Sequence, residues 1–220
     1  MEVVAVNVGR RERLEGPMYS GTTGIHKRPC DGPVLVGALG LADDAVCDTR
    51  HHGGPDQAVY LYRQEDYDWF AGELGRDLEP GTFGENLTVR GLPSPALPIG
   101  TRLVGPSVTL EITAPRIPCN TLAQRMGDAG FVKRFMQARR PGFYARVPVT
   151  GPIAAGEVFT LQAPTWPAAD ADPSAVPDTV EVFDAAKRRL ALPELERFLA
   201  APIDERTRAD FEKRLRKLAG

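Results

Sequence analysis

The spacing of glycine and proline most constrains what this chain can fold into. Through the first 163 residues these two residue types cut the apolar sequence into short runs, the length of strands and too brief for most helices. The runs are Val3–Val8, Val34–Ala38, Ala58–Tyr62, Asn86–Val89, Arg102–Val104, Val108–Thr113, Ala145–Val149 and Val158–Leu161. Many short strands separated by turn residues predict an all-β sandwich or barrel, and Ile99-Gly100 and Ala155-Gly156 read as turns feeding the strands after them. Two stretches break the rhythm. Gln64–Leu74 carries Tyr67, Phe70 and Leu74 at helical spacing, and Phe131–Ala138 carries Phe131, Phe135 and Ala138 likewise. Both are expected as helices outside the β core.

Composition changes at APTWPAADADPSAVPD, residues 163–178, where four prolines, alanines and acidic residues replace the strand pattern. This reads as a linker between a β domain, residues 1–162, and a small helical module, residues 179–220. In the module, Val180–Leu190, Leu195–Ala200 and Glu205–Leu218 are expected to be helical, with Phe211, Leu215 and Leu218 on one stripe. Ten Lys/Arg stand against eight Asp/Glu between 179 and 220 without a basic face, which disfavours a DNA-binding helix-turn-helix. The tail is expected to pack on the β domain or on a second subunit as a homodimer.

The formal net charge of -2 with 25% charged residues leaves no cationic surplus for nucleic acid or an anionic membrane, so small molecules are the expected partners. No apolar run approaches the length of a membrane span, and the N-terminal MEVVAVNVGRRERLEG reverses the charge order of a secretory signal. A cytoplasmic location is expected. The three cysteines, Cys30, Cys47 and Cys119, are odd in number and unpatterned, unlike a disulfide framework or a zinc CxxC pair, and too few for a four-thiolate iron–sulfur cluster.

Three segments could carry chemistry. Asp48-Thr-Arg50-His-His52-Gly53-Gly54-Pro-Asp56 sets two histidines and two glycines before a strand; paired glycines let backbone N–H groups approach a ligand, and histidine can bind phosphate or shuttle a proton. The same spacing also suits a solvent-exposed tight turn. Gly81-Thr-Phe-Gly84-Glu85-Asn86 places polar groups at a strand mouth, where Glu and Asn also commonly cap turns. In Thr113-Ala-Pro115-Arg116-Ile-Pro118-Cys119-Asn120 two prolines hold the backbone extended ahead of the cysteine, and Arg116 favours its thiolate. A lone cysteine is more often a small buried hydrophobe. Phosphate-binding GxxxxGK[ST] loops, GxGxxG, GxSxG and HExxH are all absent from the sequence.

Taken in order, these segments resemble the MOSC family, named for the C-terminal domain of molybdenum-cofactor sulfurase, and within it the YiiM type. The matching string runs Thr23-Gly-Ile-His-Lys27-Arg-Pro29, Gly40-Leu-Ala-Asp-Asp44, Asp48, His52-Gly-Gly-Pro-Asp56-Gln-Ala-Val-Tyr60, Phe83-Gly-Glu-Asn-Leu87, Arg116-Ile-Pro-Cys119 and Gly142-Phe-Tyr-Ala-Arg146, with Gly151 and Gly156. It covers roughly residues 1–162, and the helical tail is similar to the three-helix module of YiiM proteins. The chain departs from the family pattern at Asp43, where glycine is usual, and at Cys30, where valine is common.

The resemblance implies a mainly β, barrel-like MOSC domain with peripheral helices and a three-helix C-terminal module. It implies a molybdenum cofactor with Cys119 as metal ligand. Lys27, Arg50, His52, Gly53, Gly54, Glu85, Asn86 and Arg116 would contact the cofactor, and Cys119, Glu85 and His52 would serve catalysis. The implied activity is reduction of N-hydroxylated compounds, such as hydroxylaminopurine-type base analogues, in a detoxifying role. With neither a dinucleotide fingerprint nor a cluster, the electrons would come from a separate reductase. The alternative is a protein that carries sulfur as a persulfide on Cys119, or that binds and stores molybdenum cofactor without redox turnover.

Overall fold

The chain, seen in a computed structural model that describes residues 1–166 and 175–219, begins with a strand that organises everything after it. β1 (Glu2–Gly9) buries Val3, Ala5 and Val6 and pairs on both edges, with β4 (Lys27–Pro29) and with β8 (Leu87–Arg90). The short elements β2 (Glu12–Leu14) and β3 (Gly21–Thr23) form a separate hairpin. β5 (Val34–Gly37) and β6 (Gly40–Leu41) join β12 (Gly151–Ile153) in a three-stranded sheet.

The principal sheet has eight strands in the order β13-β9-β10-β11-β7-β8-β1-β4, with β7 (Val59–Arg63), β9 (Arg102–Val104), β10 (Thr109–Pro115), β11 (Phe143–Val149) and β13 (Thr160–Gln162). The β7–β8 pair is parallel, which requires a crossover, and α1 (Gln64–Leu74) supplies it while burying Tyr67 and Phe70. The sheet curls toward closure. Val3 N–H donates to Glu157 O at 2.9 Å and Phe159 N–H to Met1 O at 2.7 Å, so the approach to β13 meets the start of β1. Among the described residues this contact is not a full ladder, and the sheet is barrel-like, not a closed barrel.

The sequence-predicted helices Gln64–Leu74 and Phe131–Ala138 (α3) match the observed ones to the residue. The eight expected strands fall on β1, β5, β7, β8, β9, β10, β11 and β13 with ends shifted by a few residues. A helix not anticipated, α2 (Asn120–Met126), follows Cys119 directly and ends at Gly127 in the left-handed conformation. Asp43 has φ 61, the left-handed region that glycine tolerates best, which agrees with the glycine that the resemblance leads us to expect there.

Three helices close the chain: α4 (Thr179–Ala185), α5 (Leu192–Ala200) and α6 (Glu205–Ala219). α4 stops five residues short of the expected Leu190. Asp178 starts it with a capping box completed by Glu181. Val182, Leu195, Phe198 and Phe211 share one hydrophobic core with Leu61, Leu87, Leu110 and Ile112 of the sheet. Phe183 enters a second, aromatic cluster with Tyr62, Phe83 and Phe135. The end of the 163–178 segment is itself tied down, with Ile99 N–H donating to Pro177 O at 2.9 Å; residues 167–174 of that segment lie outside the described residues.

Candidate functional site

The two prolines before Cys119 carry the chain off the end of β10, and Cys119 then takes an extended conformation (φ -131, ψ 173) as the N-cap of α2. Its thiol therefore stands at the start of a helix, partly exposed, where backbone N–H groups favour negative charge. Burial alone would raise the thiol pKa. The hydrogen bond from His52, the charge of Arg116 and the N–H of Leu122 outweigh it and bring the thiol down to about 5. These contacts favour the thiolate of Cys119 over the thiol.

His52 is also held by Tyr144, its Nδ1 lying 3.0 Å from Tyr144 Oη. Arg116, 4% exposed, donates to Phe83 O and lies with its guanidinium carbon 5.1 Å from the centre of the Tyr60 ring. The loop that carries His52 is strapped from a distance. From α6, Arg206 donates to the carbonyls of Thr49 (2.9 Å), Arg50 (2.9 Å), Gly53 (2.7 Å) and His52 (3.2 Å), and Gln57 Nε2 donates to Asp204 Oδ1 at 2.9 Å.

Two cavities meet at this centre, sharing Cys119, His51, His52, Gln57 and Tyr144. The first, about 290 Å³, is the more polar of the two and runs past Thr23, Lys27, Asp44, Gly53, Asn86 and Arg116. Asp44 is its hub. It pairs with Lys27 Nζ and accepts from Gly9 N–H at 2.8 Å and Asn86 Nδ2 at 2.9 Å. Burial lowers the Lys27 pKa, and Asp44 opposes that shift. The second cavity, about 340 Å³, lies between the Pro115–Cys119 segment and the helices α4 and α6.

Of the residues singled out from sequence, Lys27, His52, Gly53, Asn86, Arg116 and Cys119 come together around the first cavity. Arg50 is exposed and lines neither cavity, and Gly54 (φ 85) serves the turn into a 3-10 segment at Pro55–Gln57. Glu85 also lines neither. Its Oε1 is fully buried and accepts from Tyr67 Oη (2.6 Å), Gly81 N–H (2.7 Å) and Thr88 Oγ1 (2.7 Å), and burial raises its carboxyl pKa. Cys30 donates weakly to Arg28 O, away from the site. Sequence reasoning gave no role to Asp44, Tyr144, Cys47, Gln57 or Arg206. Asp44, Gln57 and Tyr144 lay within the resemblance string, the one signal that could have flagged them.

The donor set fits a cofactor that brings most of its own metal ligands. Among the described residues no three of His, Cys, Asp and Glu converge to hold a metal ion, whereas one thiol of lowered pKa faces the cavity that holds Lys27, Asp44 and Arg116. A single soft thiolate is the expected protein ligand for a metal already held by sulfur.

The MOSC domain family matches residues 48–160, and the chain belongs to it: it carries a domain associated with molybdenum cofactor. Within the family it is YiiM-like. A crystal structure of YiiM from Geobacillus stearothermophilus superposes with a TM-score of 0.78 at 26% identity, covering 97% of this chain and 98% of that one. Among curated proteins it is 35% identical over 159 residues to the uncharacterized protein YflK of Bacillus subtilis (72% of each chain). It is 34% identical over 150 residues to a Gibberella moniliformis protein named "Reductase", covering 66% of this chain and 27% of that protein. Among the described residues no helix is long and apolar enough to cross a membrane.

Proposed function

We propose that this protein reduces N-hydroxylated compounds to the corresponding amines, using molybdenum cofactor held through Cys119 and electrons from a separate reductase. The balance is R–NHOH plus two electrons and two protons giving R–NH2 and water. The observation that carries the reading is the Cys119 thiolate, held down to about 5 by His52, Arg116 and the Leu122 N–H at the junction of two cavities. When bound, the cofactor supplies a two-electron centre that accepts oxygen from the substrate.

The chain's own groups supply the rest. Arg116, Lys27, Asn86 and the backbone at Gly53 line the side where an anionic, hydrogen-bonding cofactor fits. His52 and the Tyr144 hydroxyl form a proton-holding pair beside the sulfur. Glu85 acts by shaping the Gly81–Asn86 loop, since its carboxyl accepts from the Gly81 N–H and lies outside the cavity.

The test is metal analysis with turnover. Purified protein should carry molybdenum near one per chain, Cys119→Ala should abolish it, and the loaded wild type should reduce 6-hydroxylaminopurine with a chemical electron donor. A persulfide mass adduct on Cys119 in protein free of molybdenum would replace this reading with sulfur transfer, which the same activated thiolate serves.

A further inference from the structure

We propose that the second cavity, walled by the C-terminal helices, is the binding site for the body of a planar, uncharged N-hydroxylated heteroaromatic whose N–OH end meets Cys119. This rests on the function proposed above and gives the helical tail a role in it.

The two cavities that meet at Cys119 differ in chemistry. The first presents Lys27, Asp44, Asn86 and Arg116 and suits a charged, hydrogen-bonding ligand. The second, about 340 Å³, lies within the roughly 300–1,000 Å³ that small-molecule sites occupy. Its walls are Pro115, Ile117 and Pro118 from the segment before Cys119, Val182 and Ala186 from α4 and its end, and Phe211 from α6. Ile117 is 38% exposed, an apolar group left facing solvent at this surface.

The cations that border the second cavity are engaged elsewhere. Arg206 is spent on the carbonyls of the His52 loop. Arg214 donates to Ala185 O at 2.8 Å and Ala186 O at 3.0 Å and pairs with Asp210 at 2.6 Å. An anionic substrate would find the N–H groups of Arg206 and Arg214 largely taken, whereas a flat, neutral ring covers the apolar surface left open at Ile117 and beside Ala186. At the inner end His52 and Tyr144 offer the hydrogen-bonding pair that an N–OH group needs. One ligand occupying each cavity would bring the two to Cys119 from different sides, which is the arrangement a reaction between them requires.

The experiment fills the cavity from two different helices. Thr207→Phe and Ala186→Phe are made separately, molybdenum content is measured for each, and steady-state kinetics are run with 6-hydroxylaminopurine and with hydroxylamine, which is too small to reach the tail. Each variant should raise KM for the purine at least tenfold with kcat within threefold. The ratio of kcat/KM for the purine over hydroxylamine should fall at least tenfold, at unchanged molybdenum per chain. Saturation-transfer NMR on metal-free protein should show 6-hydroxylaminopurine bound to the wild type and lost in both variants. An unchanged ratio in both variants, or equal loss for both substrates, overturns the proposal. Binding that the variants abolish, in a wild type that carries molybdenum yet reduces neither compound, would sink the proposed reaction and leave the binding site standing.

Discussion

Glu85 and Cys119 are both buried or half-buried titratable residues in segments that border strands, and both drew attention as chemistry. Their surroundings are opposite. Around Glu85 the molecule is sealed: Tyr67, Gly81 and Thr88 donate to one carboxyl oxygen, and Tyr62, Tyr67, Phe70 and Phe83 pack as a continuous aromatic cluster beside it. Around Cys119 the partners, His52, Arg116 and Leu122 N–H, stabilise the ionised form while the sulfur keeps two open cavities before it. Burial pushes the Glu85 carboxyl up, toward a neutral group that holds a loop in place. Specific contacts push the Cys119 thiol down, toward a reactive one. A perturbed ionisation marks function only where the group also faces space a ligand can enter.

The largest effect that could break this contrast is on stability. Glu85→Ala would strand three buried donors, each costing about 1–3 kcal/mol, for a loss of roughly 3 kcal/mol or more in urea unfolding. Glu85→Gln keeps a neutral acceptor for them and should cost far less. A Glu85→Gln protein that folds as tightly as wild type, binds molybdenum and has lost its turnover would show that Glu85 takes part in the chemistry.

The next effect sharpens the other half. In metal-free protein, peptide-resolved alkylation of Cys119 by iodoacetamide should rise with a midpoint near pH 5, against about 8.5 for a free cysteine. The lowered pKa means the thiolate is present above that midpoint and is lost as pH falls through it. At pH 6 the thiolate fraction favours Cys119 about 300-fold over free cysteine, and the weaker intrinsic nucleophilicity of an acidic thiol cuts this to about tenfold in rate. A midpoint at or above 8 would make Cys119 an ordinary half-buried cysteine.

The same contrast explains what the sequence disclosed. Period and punctuation are local properties, so the strands of the main sheet other than β4, and the helices Gln64–Leu74 and Phe131–Ala138, were readable. β6 and β12, of two and three residues, carry Gly-Leu and Gly-Pro-Ile, too little for an apolar run of their own, and exist because β5 supplies the ladder. α2 was hidden because its seven residues follow a proline-fixed extended segment. Cys119, Arg116 and His52 stood out by residue type. Glu85 stood out equally, and only its partners, up to 18 residues away, reveal that one of its carboxyl oxygens already holds three donors and that the group faces no cavity. Arg206 could not be found at all, because its 153–157 residue separation from the carbonyls it binds leaves no local trace.

That long-range strap gives the smallest and most localised effect. Arg206→Ala removes hydrogen bonds to four carbonyls of the 49–53 loop, but two of these acceptors, at Thr49 and Arg50, are solvent-exposed and water can replace the donor. The global cost should therefore be about 1 kcal/mol, near the net worth of a single ordinary hydrogen bond. The local cost is different in kind, because this loop carries His52, whose hydrogen bonds to Tyr144 and Cys119 need a fixed backbone. Amide hydrogen exchange in residues 49–53 should accelerate about tenfold or more while the β10–β11 ladder is unaffected. Arg208→Ala is the control, since Arg208 anchors α6 through the carbonyls of Leu199 and Ala201 and does not touch the loop. If Arg208→Ala loosened residues 49–53 as much as Arg206→Ala, the helical tail would act on the site by bulk packing. Acceleration confined to Arg206→Ala would mean that one guanidinium transmits the position of the tail to the histidine beside the thiolate.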